Sequence, residues 1–143
     1  QTIMKGGNIE LFSGGVEPQR FKKLKMEDEW LDKVQEGKKK VDVRLNKETF
    51  DSIEKGTSIL YYSDKRDVLV KVLKKTLYDN IDDLIKKEKI EDMFPGLSKD
   101  MKPDDERLMF LSKQQGGTGF YKEEDLSKPF IAIRISPISP TSE

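Results

Sequence analysis

Apolar and polar residues run along this chain in short blocks whose period changes several times. Phe21 to Met26 is a brief strand candidate. Between Met26 and Gly37 the apolar residues Trp30, Leu31 and Val34 recur at helical spacing and are expected to face inward. The first turn of that helix is acidic, which suits the positive end of a helix dipole, and Gly37 is a natural stop. The period then drops to two. Val41, Val43 and Leu45 alternate with Lys40, Asp42 and Arg44, as in a half-buried strand whose polar face carries two cations around a carboxylate.

Further along, Lys47 to Glu54 reads as a short helix ending near Gly56, and Ser58 to Ser63 as an aromatic strand. The polar tip Asp64-Lys65-Arg66-Asp67 predicts a hairpin that returns through Val68, Val70 and Val72. Asn80 is placed to cap a helix with Ile81, Leu84 and Ile85 inside. Ile90, Met93 and Phe94 extend its apolar set until Pro95-Gly96 stops it. Asp104 to Lys113 is another helix candidate, followed by a mobile Gly116-Gly117-Thr118-Gly119. After Pro129, Ile131, Ile133 and Ile135 alternate with Ala132 and Arg134 in a last strand. Short strands with a few helices between them predict an α+β fold around a small curved sheet or barrel. Residues 1–18, with four Gly and little periodicity, read as a flexible arm; 137–143, rich in Pro and Ser, read as a flexible tail; the domain is expected over 19–136.

Composition narrows the chemistry. The 143 residues include no Cys and no His. That excludes disulfides, iron–sulfur clusters, thiol nucleophiles and Ser-His-Asp triads, and it removes the usual zinc ligands, so neither metal nor cofactor is expected. No apolar run is long enough to span a membrane and no signal-peptide pattern opens the chain. The expectation is an intracellular protein, cytoplasmic or nuclear, monomeric and not secreted. Because it begins at Gln1 rather than Met, a piece of a larger polypeptide or polyprotein is also expected.

The 27 basic and 27 acidic side chains cancel, but unevenly. Ten basic residues face six acidic ones between Arg20 and Lys47, whereas ten acidic residues face five lysines between Asp79 and Glu106. A zero net charge therefore conceals a dipolar chain, and anion binding depends on the local face.

Gly37-Lys38-Lys39-Lys40-Val41-Asp42-Val43-Arg44 has the form G-x-K-x-x-[acid]-x-R at a helix-to-strand junction. A Trp-containing helix precedes it. Leu45-Asn46-Lys47, Gly56, the strand Ile59 to Tyr62, Tyr78 before an acidic helix, Phe94-Pro95-Gly96, Phe120-Tyr121 and Phe130 to Ile135 follow. This order, over roughly residues 20–136, resembles the ASCH (activating-signal-cointegrator homology) domain of the PUA-like superfamily. The resemblance implies a small PUA-like β-barrel with two to four helices around it and a cleft beside the G-x-K-x-x-D-x-R segment. It also implies a role in binding RNA or another nucleic acid. Two positions depart from the family pattern. Asp42 stands where Glu is usual, and Gly56-Thr57 where Gly-Asp is common.

Strand alternation puts Lys40, Asp42 and Arg44 on one face, with Lys39 projecting from the rim in the opposite sense. Arg44 offers a planar fork to a phosphate or base edge, and Asp42 can hold it or accept from a base amino group. The candidate nucleic-acid-binding residues are Lys38, Lys39, Lys40, Asp42, Arg44 and, as a second cation for the cleft, Arg134. Lys22, Lys23 and Lys25 could extend a phosphate footprint. Of the adjacent Tyr61 and Tyr62, one should be core and the other free to stack on a base.

The bland alternative is an exposed Arg–Asp pair on a solvated sheet, worth at most about 1 kcal/mol. A second alternative is an amidohydrolase acting on N4-acylated cytidine nucleosides, as some small ASCH-like proteins are. There Lys39 and Asp42 would be the catalytic residues, although those enzymes carry a Thr nucleophile at position 42. A third is a protein–protein adaptor using the acidic region 79–106.

Overall fold

Three antiparallel strands open the chain, β1 (Thr2–Lys5), β2 (Asn8–Ser13) and β3 (Val16–Arg20), paired only with one another. The hydropathy pattern offered no element there. The computed structural model describes the backbone of these strands, and describes residues 22–96, 101–111 and 121–138 in full. The proposed Gly116–Gly119 segment and residues 139–143 of the tail lie outside the described residues.

The remaining strands form one curled five-stranded sheet, β4 (Lys22–Lys25), β5 (Val41–Leu45), β6 (Ser58–Tyr62), β7 (Asp67–Tyr78) and β8 (Phe130–Pro137). Their order is β4-β6-β7-β8-β5, and only β4 and β6 run parallel. The β6–β7 hairpin closes where its polar tip predicted, with Ser63 Oγ accepting from the backbone of Lys65 and Arg66. β7 runs on to Tyr78 past an irregularity between Val72 and Lys74, which lets one long strand pair with both β6 and β8. Ser136 and Pro137 still pair with Lys71 and Val70, so the sheet extends to the start of the tail.

β8 lies between β7 and β5 and is buried on both faces. Ile131, Ile133 and Ile135 pack with Ile59, Tyr61, Val68, Val70 and Val72 and with Leu31 and Val34 of α1 (Asp28–Gln35). Phe130 and Ala132 on its other face join a second core with Val41 of β5, Ile81, Leu84 and Ile85 of α2 (Ile81–Lys87), and Met93 of α3 (Ile90–Met93). α4 (Pro103–Leu108) and a 3-10 turn over Glu123–Ser127 complete that layer. The alternation at Ala132 therefore marks two buried faces rather than one wet one.

Local chemistry explains the boundaries. Asn80 caps α2 by accepting from the Asp83 amide at 2.8 Å, as its side chain predicts. The apolar run from Ile81 to Phe94 is broken into two helices because Glu88 and Lys89 adopt extended backbone, with Glu88 drawn to the Tyr78 hydroxyl at 2.5 Å. Residues 47–54 form only a 3-10 turn, Glu48–Phe50, enough to bury Phe50 and Ile53. The helix expected over 104–113 stops at Leu108.

Candidate functional site

A sheet that curls without closing leaves a seam between its edge strands, here β4 and β5. The side chain of Arg44 spans it. The Arg44 guanidinium donates to the Lys25 carbonyl at 2.7 Å from one edge to the other. Its Nε donates to Asp42 Oδ2 at 2.8 Å, and the same oxygen accepts from the Tyr61 hydroxyl at 2.7 Å. The bland alternative of an exposed Arg–Asp pair does not describe this contact, since the carboxylate is buried and the guanidinium half-buried. Asp42 is 5% exposed, and a buried carboxylate must be paired and hydrogen-bonded to persist.

Lys39 is the main correction to the sequence-based picture. Expected at the rim, it is 6% exposed. Gly37 has a φ of +78°, the left-handed conformation that glycine adopts most easily, and it turns the chain out of α1. The amides of Lys38 and Lys39 both bond the Lys33 carbonyl, and β5 starts only at Val41, so strand alternation does not govern Lys39. Its ammonium donates to the Met93 carbonyl and lies 5.6 Å from the Trp30 ring centre and 5.2 Å from that of Phe94. These are cation–π distances.

Lys39, Asp42 and Arg44 converge on one cavity of about 710 Å³. Trp30, Met93, Phe94, Met109, Phe110 and Tyr121 supply its apolar walls, and Lys25, Asp64 and Lys65 lie exposed at its rim. Edge-to-face packing runs from Trp30 through Phe94 and Phe110 to Phe130 and Tyr121, which makes that wall stiff. Tyr121 also accepts from the Leu45 amide at 3.2 Å, fixing its hydroxyl against β5. The opposite rim is pinned as well. Arg66 bonds Asp28 and Asp32 of α1, and Ser63 donates to Asp28 at 2.8 Å.

The charges are strongly interdependent. Burial lowers the Lys39 ammonium from 10.5 to about 8, against the opposing attraction of Asp42. Burial also works against the Asp42 carboxylate, but Arg44, Lys39 and the Tyr61 hydrogen bond outweigh it and hold Asp42 below its usual value. Burial, then the neighbouring Asp42 charge, push the Tyr61 hydroxyl well above its usual value. At neutral pH Lys39 and Arg44 therefore face Asp42 in a largely apolar cavity, while the other charged residues of its lining, Lys25 and Lys65 against Glu27, Asp28 and Asp64, bring the total to zero. That arrangement can receive an electron-rich planar group: rings to stack on, donors for carbonyl or ring-nitrogen acceptors, and one carboxylate for an amino donor.

Three of the six candidate residues are brought together here. Lys38 and Lys40 are exposed and do not line the cavity; Lys38 lies 3.5 Å from Glu36. Arg134 is on the other side of the sheet. Directly paired residues share a face, and Arg134 pairs with Val41, whereas Asp42 pairs with Ile133. Tyr61 is the core tyrosine and Tyr62 the half-buried one, with Lys23 5.1 Å from its ring centre. Residue spacing gave no signal for Met109, Phe110 or Tyr121 as wall residues, since they arrive from a distant segment. No group of three or more His, Cys, Asp or Glu among the described residues is placed to hold a metal. None of the helices among those residues is long and apolar enough to cross a membrane.

No curated protein matches the chain by sequence. Among solved structures it resembles the crystal structure of hypothetical protein PH0355, with 26% identity, a TM-score of 0.64 and coverage of 81% of this chain and 97% of that one. It also resembles the solution NMR structure of protein PF0455 from Pyrococcus furiosus, at 23% identity and a TM-score of 0.58, covering 82% and 97% of the two chains. The model of the ASCH domain matches residues 24–135, from β4 through β8, and the chain belongs to the ASCH domain family.

Proposed function

We propose that this domain binds nucleic acid, RNA in particular, by taking an unstacked base into the seam cavity beside Lys39, Asp42 and Arg44. The observation that carries this reading is the convergence of those three side chains within an aromatic-walled cavity of about 710 Å³. Single-stranded RNA is recognised largely through splayed bases that stack on aromatic rings and are read at their edges. A duplex cannot present a base in this way without first flipping it. The ASCH family, generally regarded as a PUA-like RNA-binding fold, supports the same reading.

The test is titration of a short single-stranded RNA against the wild type and Arg44→Ala at several salt concentrations. Arg44→Ala is expected to weaken binding by about tenfold or more, the loss of a charge-assisted bond. Equal affinity in both proteins, with the variant folded, would falsify the assignment.

One observation favours a second reading, hydrolysis of N4-acylated cytidines: a buried amine poised at about 8. Binding is the better account because Asp42 has no hydroxyl to serve as nucleophile. A carboxylate held below its usual value is also a poor base at neutral pH. No release of carboxylic acid from N4-acetylcytidine at high protein concentration is the expected result; turnover abolished by Lys39→Met would reverse the preference.

A further inference from the structure

Arg134, which does not reach the seam cavity, enters a second recess of about 320 Å³ on the other face of β7 and β8. Lys74 stands directly opposite it on β7, and Lys87 arrives from the last turn of α2. The next pair on that face is Thr76 with Ala132, whose small side chain leaves the hollow beside a hydroxyl. We propose that this recess binds a phosphate group.

Three cations meet one lining carboxylate, Glu88. Glu88 is already engaged, accepting from the Tyr78 hydroxyl at 2.5 Å and lying 3.8 Å from Arg134. Asp92 takes a second position on Arg134 at 3.3 Å. These contacts hold the guanidinium in place from one side. Lys74 and Lys87 are both exposed and have no carboxylate partner among the described residues. Like charges drawn from three elements into one recess repel, and an anion shared between them relieves that repulsion. A tetrahedral oxyanion also matches the donors available: one planar fork, two flexible ammoniums and a hydroxyl.

Val41 lines this recess, whereas its neighbours Asp42 and Val43 line the seam cavity, so the two sites flank one edge strand. The phosphate can come from a strand lying across β5 or from a free phosphorylated molecule. The chemistry is the same, and the experiment separates them.

Inorganic phosphate, and separately a short single-stranded oligoribonucleotide, would be titrated into the isotope-labelled full chain while its backbone amide resonances are followed. Saturable movement of the Thr76, Lys87 and Arg134 amides is expected, with binding weakened about tenfold or more in a Lys74→Gln/Lys87→Gln double variant. Both lysines are exposed, so the fold should survive, as unchanged Ile133 and Ile135 resonances would show. Response to phosphate alone assigns a free phosphorylated ligand, and response only to the oligonucleotide assigns a strand phosphate. The proposal is overturned by no movement with either, by equal movement with chloride at the same ionic strength, or by shifts that survive the double substitution. Arg44→Ala should leave the inorganic-phosphate response intact, so failure of the base cavity and failure of this recess are separable.

Discussion

Burying the Lys39 ammonium disfavours its charged form, and the effect is large enough to measure. The amine titrates at about 8 in the fold against 10.5 in the unfolded chain, a difference of about 3 kcal/mol. Below pH 8 both states are protonated and the folded state bears the full penalty. Between pH 8 and 10.5 the unfolded state binds more protons, so stability rises with pH across that window. Denaturant unfolding of wild type and Lys39→Met should therefore show the wild type gaining on the variant from pH 8 to 10.5; a pH-independent gap would contradict the burial of this charge. Tyr61→Phe tests the neighbouring bond, since it removes the 2.7 Å donor to Asp42 without opening a cavity. The expected loss is about 1–2 kcal/mol, because one donor to a buried carboxylate disappears while Arg44 remains. Thermal melts at neutral pH would read it directly.

At the scale of elements, the cavity depends on how α1 hands the chain to β5. Gly37 was recognisable as a helix stop from its place after Val34 and Glu36. Its second role was not legible: its positive φ turns the chain so that Lys39 enters the core and not the rim. Nothing in strand alternation could reveal this, because alternation begins only at Val41. A Cβ at Gly37 meets no atom within 4 Å, so Gly37→Ala should cost only the backbone conformation, about 1 kcal/mol. A loss far above that in chemical denaturation would mean that the turn carries more than its backbone geometry. The same division runs through the sheet. The strands around Val41, Val70 and Ile133 follow from period-two spacing and the one around Tyr61 from its apolar, aromatic run, whereas their register does not. Register is what sends Arg134 to the face of Val41 and away from Asp42. The wall residues Phe110 and Tyr121 were equally hidden, since the isolated bridge between Leu111 and Tyr121 joins positions ten apart with no periodic signal.

For the whole molecule, zero net charge means that affinity for a polyanion must come from placement. Acidic Asp82, Asp83, Asp104, Asp105 and Glu123 belong to the helical layer, whereas Lys25, Lys38 and Lys40 are exposed on β4 and around the start of β5. Two kinds of contact should then separate in a salt titration of single-stranded RNA. Each phosphate neutralised on a single strand contributes roughly −0.7 to the slope of log affinity against log salt, so three lysines imply a slope of about −2. Lys25→Ala/Lys38→Ala/Lys40→Ala should flatten that slope because those side chains are exposed to solvent, Lys25 at the cavity rim and Lys38 and Lys40 outside it. Arg44→Ala should instead lower affinity at every salt concentration and leave the slope unchanged, the outcome that the proposed base contact requires of a half-buried fork already paired with Asp42. If Arg44→Ala flattened the slope and the triple variant did not, Arg44 would be a phosphate contact and the seam cavity would have to be emptied of its base.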